Sequence, residues 1–285
     1  MKVSASALLA VAALAGTAAA QWCPTTTVRK EFRQMTNNER QRYFSAVRQL
    51  NSGSRPNQFD RFAQVHVWFA NEIHGVAPFL VWHRQFVRDW EQTLQRVSGD
   101  SSVFQPYWDW TNDSQNPAGS PIFSGNWLGG DGRGGCANIP MLGGQVPVWW
   151  DGNYQQYQHC LTRNFNREVM RAFYPRSALQ VVFDQSRDYA RLNPGIEIGP
   201  HSNVHVAVGG HMNSMASPND PVFWFHHAFI DKLWNDWVNV DYNNRLWSYG
   251  GPNRNGASAS YNDRLPYYGM QVWTVMPLGN MCYNY

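Results

Sequence analysis

The chain has 285 residues, of which 43% are hydrophobic, 15% aromatic and 15% charged, enough apolar material for one sizeable buried core. Its 23 Lys and Arg against 20 Asp and Glu give a formal net charge of +3, and the basic residues are scattered, so nothing supports binding to nucleic acid or to a membrane surface. No Pro/Gly/Ser linker and no internal repeat divides the sequence.

Residues 1–20 read as a secretory signal, because Lys2 precedes an apolar stretch from Ala5 to Ala15 that closes in Thr17-Ala18-Ala19-Ala20. That stretch is too short to span a bilayer, which takes about 20 residues. Residues 21–285 are therefore expected to form one exported, soluble domain. Thr36 with Glu39 three residues later has the spacing of a capping box and opens an amphipathic helix to about Leu50. Phe59, Phe62, His66, Phe69 and Ile73 recur at steps of three and four, so a second helix carries His66 in its apolar stripe. His83, Val87, Trp90, Leu94 and Val97 do the same for a third.

Between 98 and 162, Gly, Pro, Asn and Asp are frequent and periodicity is weak, which predicts long loops with a short strand pair. Helical patterns return over 163–173 and 177–192, and a short helix is expected around His201 and His205. A last helix over 222–238 has Asp220 as its cap and Pro221 in its first turn. It is apolar nearly all round, which a helix tolerates only when other elements surround it. The expected fold is mainly α, a four-helix bundle core under long loops with little β structure.

Export permits disulfides, and Cys23, Cys136, Cys160 and Cys282 lie too far apart for a zinc knuckle. Two bridges have three possible connectivities; in one, Cys23 with Cys282 ties the termini together and Cys136 with Cys160 staples the glycine-rich middle. Asn112-Asp113-Ser114 is an N-glycosylation sequon.

Seven of the nine histidines fall in two clusters, His66/His74/His83 and His201/His205/His226/His227. Neutral imidazole is the commonest side-chain ligand for copper and zinc. His201 and His205, four apart, share one face of a helix. His66 and His74 cannot share a straight helix, since eight residues span about 12 Å along its axis. Asn71, Gly75 and Pro78 suit a chain that ends its helix and curves back, bringing His74 in from a loop. His226 and His227 point about 100° apart, and periodicity does not choose between them. Asp231, four residues after His227, is expected to accept a hydrogen bond from a ligand ring or its neighbour, which favours His227. Each cluster thus offers three imidazoles with no cysteine, leaving open positions on a metal; zinc fits, and copper fits well.

The wider sequence then resembles a family. Phe79-Leu80-Val81-Trp82-His83-Arg84 is similar to the F-L-P-W-H-R of tyrosinases, catechol oxidases and related haemocyanin domains. Ser217-Pro218-Asn219-Asp220-Pro221-Val222-Phe223-Trp224-Phe225-His226-His227, continuing into Ala228, Asp231 and Trp234, resembles that family's second-copper helix. The spacings of nine from His74 to His83, four from His201 to His205 and twenty-two from His205 to His227 agree. Tyr283-Asn284-Tyr285 resembles the Y-x-Y that closes the catalytic core, so the likeness runs from Arg29 to the end.

The resemblance implies two copper ions, one held by His66, His74 and His83 and the other by His201, His205 and His227. It implies dioxygen as co-substrate and small phenols, above all o-diphenols, as partners, and it does not specify an oligomeric state. It places Phe223 beside the ligand rings and Glu197 where some members hold an ordered water. Departures carry information too. Glu72 stands where many relatives have the cysteine of a cysteine–histidine thioether, and Val81 replaces a proline. Ser202 stands where efficient monophenol hydroxylases often carry asparagine. Ser214 aligns with a bulky gate, so the doorway around it and Val206 is expected to be open, and the catalytic domain is expected to end at Tyr285 without the C-terminal lid of longer relatives. The competing expectations are a true tyrosinase with substantial monophenol hydroxylase activity, a reversible oxygen carrier and a two-zinc hydrolase.

Overall fold

The computed structural model describes residues 23, 26–153 and 155–285; the signal expected over 1–20 lies outside them. Eight α-helices are described: α1 (Asn37–Leu50), α2 (Gln58–Ile73), α3 (Phe79–Ser98), α4 (Arg176–Gln185), α5 (Tyr189–Ile196), α6 (Ser202–Val208), α7 (Pro221–Val240) and α8 (Tyr242–Arg245). The fold is mainly α, as expected. Thr36 caps α1 through the anticipated box, with Glu39 N–H donating to Thr36 Oγ1 at 3.2 Å and Thr36 N–H to the Glu39 carboxylate at 2.8 Å. Asp220 caps α7, its Oδ1 accepting from Val222 N–H at 2.9 Å, with Pro221 in the first turn where a missing N–H costs nothing.

The all-round apolar character of α7 is explained by its place at the centre: from Val222 through Asp231 every side chain is buried. α3 packs against both α1 and α7, and Trp90 of α3 stacks on Trp224 of α7 with ring centres 4.0 Å apart. The described strands form three two-stranded ribbons: β1 (Thr27–Val28) lies parallel to β6 (Tyr283–Asn284), β2 (Asn138–Ile139) antiparallel to β3 (Gly144–Gln145), and β4 (Pro147–Trp150) antiparallel to β5 (Gln156–Cys160). Disulfides join Cys23 to Cys282 and Cys136 to Cys160.

Two helical expectations need correction. Over 163–173 there is only a single 3₁₀ turn, Val169–Arg171. Arg163 is fully buried there, its guanidinium paired with Asp220 at 2.6 and 2.7 Å and donating to the Leu128 and Gly129 carbonyls. Asn164 and Asn166 spend their backbone N–H groups on Val208 and Ala207 rather than on a helix of their own. The pattern over 177–192 is broken into α4 and α5, because Asp188 caps a new helix by accepting from Arg191 N–H at 3.0 Å.

Asp231 also differs from expectation. It contacts no ligand-candidate ring; its carboxylate takes Arg84 Nε at 2.5 Å, Arg29 Nη1 at 3.4 Å, the Tyr285 hydroxyl at 2.6 Å and the Tyr283 hydroxyl. Helical side chains lean toward the N-terminus, so His227 reaches back to Phe223 and away from the residue four positions on. The carboxylate instead ties α7 to α3 and to both chain ends.

Candidate metal centre

α2 stops at Ile73, and His74 leaves it with extended backbone (φ −123°, ψ 143°) while its N–H still bonds Ala70 O at 3.1 Å. The ring swings back to 4.8 Å from that of His66, centre to centre, which is how residues eight apart share one site. Gly75, at φ 68°, then turns the chain into α3, which carries His83.

Hydrogen bonding fixes the tautomers of this cluster. The Nδ1 atoms of His66, His74 and His83 face the carbonyls of Met215, Ala70 and Phe79 at 2.7, 3.0 and 2.8 Å. A carbonyl only accepts, so each Nδ1 carries the proton and each Nε2 is a bare lone pair. His66 Nε2 and His83 Nε2 lie 3.3 Å apart. Two lone pairs facing at that distance repel unless a cation lies between them, and two nitrogens each about 2.0 Å from one ion at a near-tetrahedral angle are about 3.3 Å apart.

The second cluster repeats the arrangement. α5 runs through a wider π-turn, Glu197–His201, into α6, a deviation that often marks functional positions. His201 Nδ1 faces Glu197 O at 3.0 Å and His205 Nδ1 faces Met212 O at 2.6 Å. His205 Nε2 and His227 Nε2 are 3.3 Å apart, and His201 Nε2 is buried without a hydrogen-bond partner. His226 lies close enough to be grouped with these three, but Trp110 Nε1–H donates to its Nδ1 at 3.2 Å. The His226 proton is therefore on Nε2, which has no lone pair to offer.

Burial drives all six remaining rings below the usual imidazole range, with neighbouring imidazoles adding to it at every ring but His74; His74 and His205 are pushed down to about 4. They are neutral donors at ordinary pH. The clusters abut: His83 stacks on His227 at 4.5 Å and 15°, while Phe79 packs 4.8 Å from His83 and 4.7 Å from His201. Phe223 packs 4.1 Å from His227 and 5.3 Å from His66.

Residues 56–240 match the profile of the common central domain of tyrosinase. The chain belongs to the tyrosinase family. It is 32% identical to the tyrosinase ustQ of Aspergillus flavus over 292 residues, spanning 92% of this chain and 80% of that protein. It is 33% identical to a tyrosinase of Streptomyces antibioticus, over 74% of this chain and 82% of that one. In fold it is similar to a polyphenol oxidase variant from Thermothelomyces thermophila, with a TM-score of 0.78 at 23% identity over 91% of this chain and 88% of that one. A functional unit of octopus hemocyanin superposes with a TM-score of 0.64 at 18% identity, over 91% of this chain and 68% of that one.

Tyrosinase-family proteins are oxidoreductases with a dinuclear copper centre, and the two groups of imidazoles, each with an Nε2–Nε2 contact of 3.3 Å, fit such a centre. In this tyrosinase-family chain the rings open onto a cavity of about 240 Å³ that His66, His74, His201 and His205 line together with Glu197, Ser202, Val206 and Ser214. A cavity of similar size, about 250 Å³, between Arg61, Asp89 and Tyr267 contains no histidine. Burial pushes Glu197 up to about 7, although Gly75 N–H donates to its Oε1 at 2.7 Å and opposes the shift. Ser202 turns its hydroxyl onto the Glu197 carbonyl at 2.7 Å.

Sequence reasoning missed the loop carbonyls of Met212 and Met215, which fix one ring in each cluster, and the Trp110 bond to His226. The first had a signal in Gly209-Gly210. Both glycines have positive φ, and a Cβ on either would lie within 2.3 Å of the Asn164 or Thr162 carbonyl oxygen, so only glycine lets this loop fold against its neighbours. Among the described helices none is long and apolar enough to cross a membrane. Asn112 is exposed, and Glu72 lies on the exposed end of α2.

Proposed function

We propose that this protein oxidises o-diphenols to o-quinones, two diphenols reducing one dioxygen to two waters, with weak hydroxylation of monophenols. In this reading His66, His74 and His83 hold one copper and His201, His205 and His227 the other. The observation that carries it is the Nε2–Nε2 contact at 3.3 Å in each cluster, beneath a cavity walled by Glu197. When bound, the copper pair supplies dioxygen binding and electron transfer.

The chain's own residues do the rest. Phe79 and Phe223 pack around the rings and keep water from the far side of the centre. Glu197, close to neutral pH in its titration, accepts a proton from the phenol hydroxyl, directly or through one water. Gly75 N–H holds the receiving carboxylate in place. Ser202, its hydroxyl directed at a backbone carbonyl, offers no side-chain amide to a monophenol, which supports diphenols as the better substrates. The two disulfides suit an oxidising, extracellular setting, and exposed Asn112 is the proposed glycan site.

The test is oxygen consumption by copper-loaded protein with a catechol and an o-aminophenol in air. Uptake with coloured product is expected; no uptake and no colour overturn the reading. The fold's likeness to octopus hemocyanin favours a second reading, a reversible oxygen carrier. Oxygen binding without turnover of small phenols would select it.

A further inference from the structure

The two histidines outside the clusters, His159 on β5 and His211 at the start of the loop that follows Gly210, touch each other: their Nε2 atoms are 3.0 Å apart and the rings stack at 22°. Three hydrogen bonds assign every proton. Thr162 N–H donates to His211 Nδ1 at 3.0 Å, so that nitrogen is bare and Nε2 carries the proton. His211 Nε2–H therefore donates to a bare His159 Nε2. The His159 proton is then on Nδ1, where Tyr157 O accepts it at 2.8 Å. The relay has no room for another proton. Protonating His159 sets N–H against N–H, and His211 cannot yield by switching tautomer because Thr162 N–H occupies its other nitrogen.

What the contact joins gives it consequence. His211 leads into Met212–Met215, which line the cavity and whose Met212 and Met215 carbonyls orient His205 and His66. His159 lies on the outer strand of the β4–β5 hairpin, whose turn lies against the same loop: a methyl group added to Gly152 would meet Ser214 Cβ at 3.4 Å. The inner strand is tied down separately, since Asn219 Nδ2 donates to Trp150 O at 2.6 Å. The base of β5 is held by the Cys136–Cys160 bridge and by Leu161 and Thr162, which bond Val146, Ala137 and His211; along the strand, beyond its ladder with β4, His159 supplies the tie to the loop.

We propose that His159 and His211 are positioning residues forming a latch that holds the β4–β5 hairpin against the doorway loop, and that acidification releases it. The groups facing the pair are few. Asp220, already paired with Arg163, and Asp151 act on His211, and the Tyr157 ring lies 4.6 Å from His159. Burial, helped by His159 and opposed by these carboxylates, keeps His211 below the usual imidazole range. His159 is the more exposed ring of the two. Release moves Gly152 off Ser214 and widens the doorway, so bulky diphenols gain more than catechol.

The doorway part of this inference rests on the proposed oxidase activity; the latch does not, and the experiment separates them. Hydrogen exchange of the copper-loaded full chain, corrected for intrinsic rates, is compared between about pH 7.5 and about pH 5, the range in which imidazoles titrate. Amides over 155–159 and 211–215 are expected to lose about tenfold of their protection on acidification. His159→Gln keeps an acceptor and cannot titrate, so its protection stays high at both values. His159→Ala is weakly protected at both. The kcat/KM ratio for a tert-butyl catechol over catechol should rise in His159→Ala and stay put in His159→Gln. Wild-type protection indifferent to pH, or His159→Ala matching wild type at neutral pH, overturns the latch whatever the enzyme oxidises. An intact exchange pattern without any diphenol oxidation overturns the function and leaves the latch standing.

Discussion

The two histidine clusters look alike in spacing and differ in what sets their rings. In the first, all three Nδ1–H groups donate to backbone carbonyls, so every donor lone pair is aimed before a metal arrives. In the second, His201 and His205 are set the same way, but His227 Nδ1 has no partner. Packing orients that ring, between His83 at 4.5 Å and Phe223 at 4.1 Å. Backbone hydrogen bonds make the first site rigid in its own right; the second borrows its rigidity from the first.

Removing ligands breaks the comparison most directly. His227→Ala should empty the second site and keep about one copper per chain, whereas His83→Ala removes a proposed first-site ligand and the face on which His227 stacks, and should retain less than one. Oxygen uptake should fall more than 100-fold in both, beyond the 10–100-fold typical of outer-shell changes. Metal analysis of the purified variants measures the difference, and equal copper in the two would refute borrowed rigidity.

The strut between the sites comes next in size. Asp231 joins α7 to Arg84, the residue after His83. Asp231→Asn leaves buried Arg84 without its carboxylate, while Arg29 keeps Glu91 at 2.9 Å, and should cost about 3–5 kcal/mol in denaturant unfolding. Burial alone would raise this carboxyl, but Arg84 and Arg29, with the two tyrosine hydroxyls, outweigh it and hold it below its usual value. A depressed folded pKa gives stability that is present above the unfolded value, about 3.9, and lost as pH falls toward the folded one. Wild-type stability should therefore decline below about pH 4, and Asp231→Asn should flatten that decline.

Glu197→Gln should lower kcat/KM for a diphenol by about 100-fold, within the usual range for a general base, while both coppers remain. Since Glu197 titrates near 7 before a cation draws it down, wild-type kcat/KM should fall with acidification on a limb that the glutamine variant lacks. His226→Phe tests the tautomer assignment: copper content should be unchanged, and stability should drop by about 1–3 kcal/mol because Trp110 Nε1–H is left buried without an acceptor.

The parts of this molecule that sequence made legible are those with a repeating physical rule. The periodic stripes placed His66 and His83 on α2 and α3, the cap at Asp220 placed the start of α7, and the eight-residue gap forced a turn before His74. The reason offered for preferring His227 over His226, a bond to Asp231, did not hold, because helical side chains lean back and not forward. The segment over 163–173 misled because a buried arginine can stand in an apolar stripe once Asp220 neutralises it. The carbonyls of Met212 and Met215 were invisible, since a backbone acceptor has no residue type to read.

The doorway, built from that same loop, carries the smallest effect. Ser214→Phe should raise KM for a tert-butyl catechol roughly tenfold, about what a reshaped apolar pocket commands, and that for catechol less. A Cβ on Gly152 would meet Ser214 Cβ at 3.4 Å, so the hairpin turn leaves little room on that side and the 240 Å³ cavity is the space a phenyl ring has to enter. The substitution also removes two bonds, Ser214 Oγ donating to His211 O at 2.9 Å and accepting from Ala216 N–H at 3.1 Å. Ser214→Ala loses the same bonds without filling space. If both variants raise KM alike, the loop's hydrogen bonds set access; if only the phenylalanine does, the open volume at Ser214 sets it, and the first site, whose His66 relies on Met215 in this loop, should keep its copper in both.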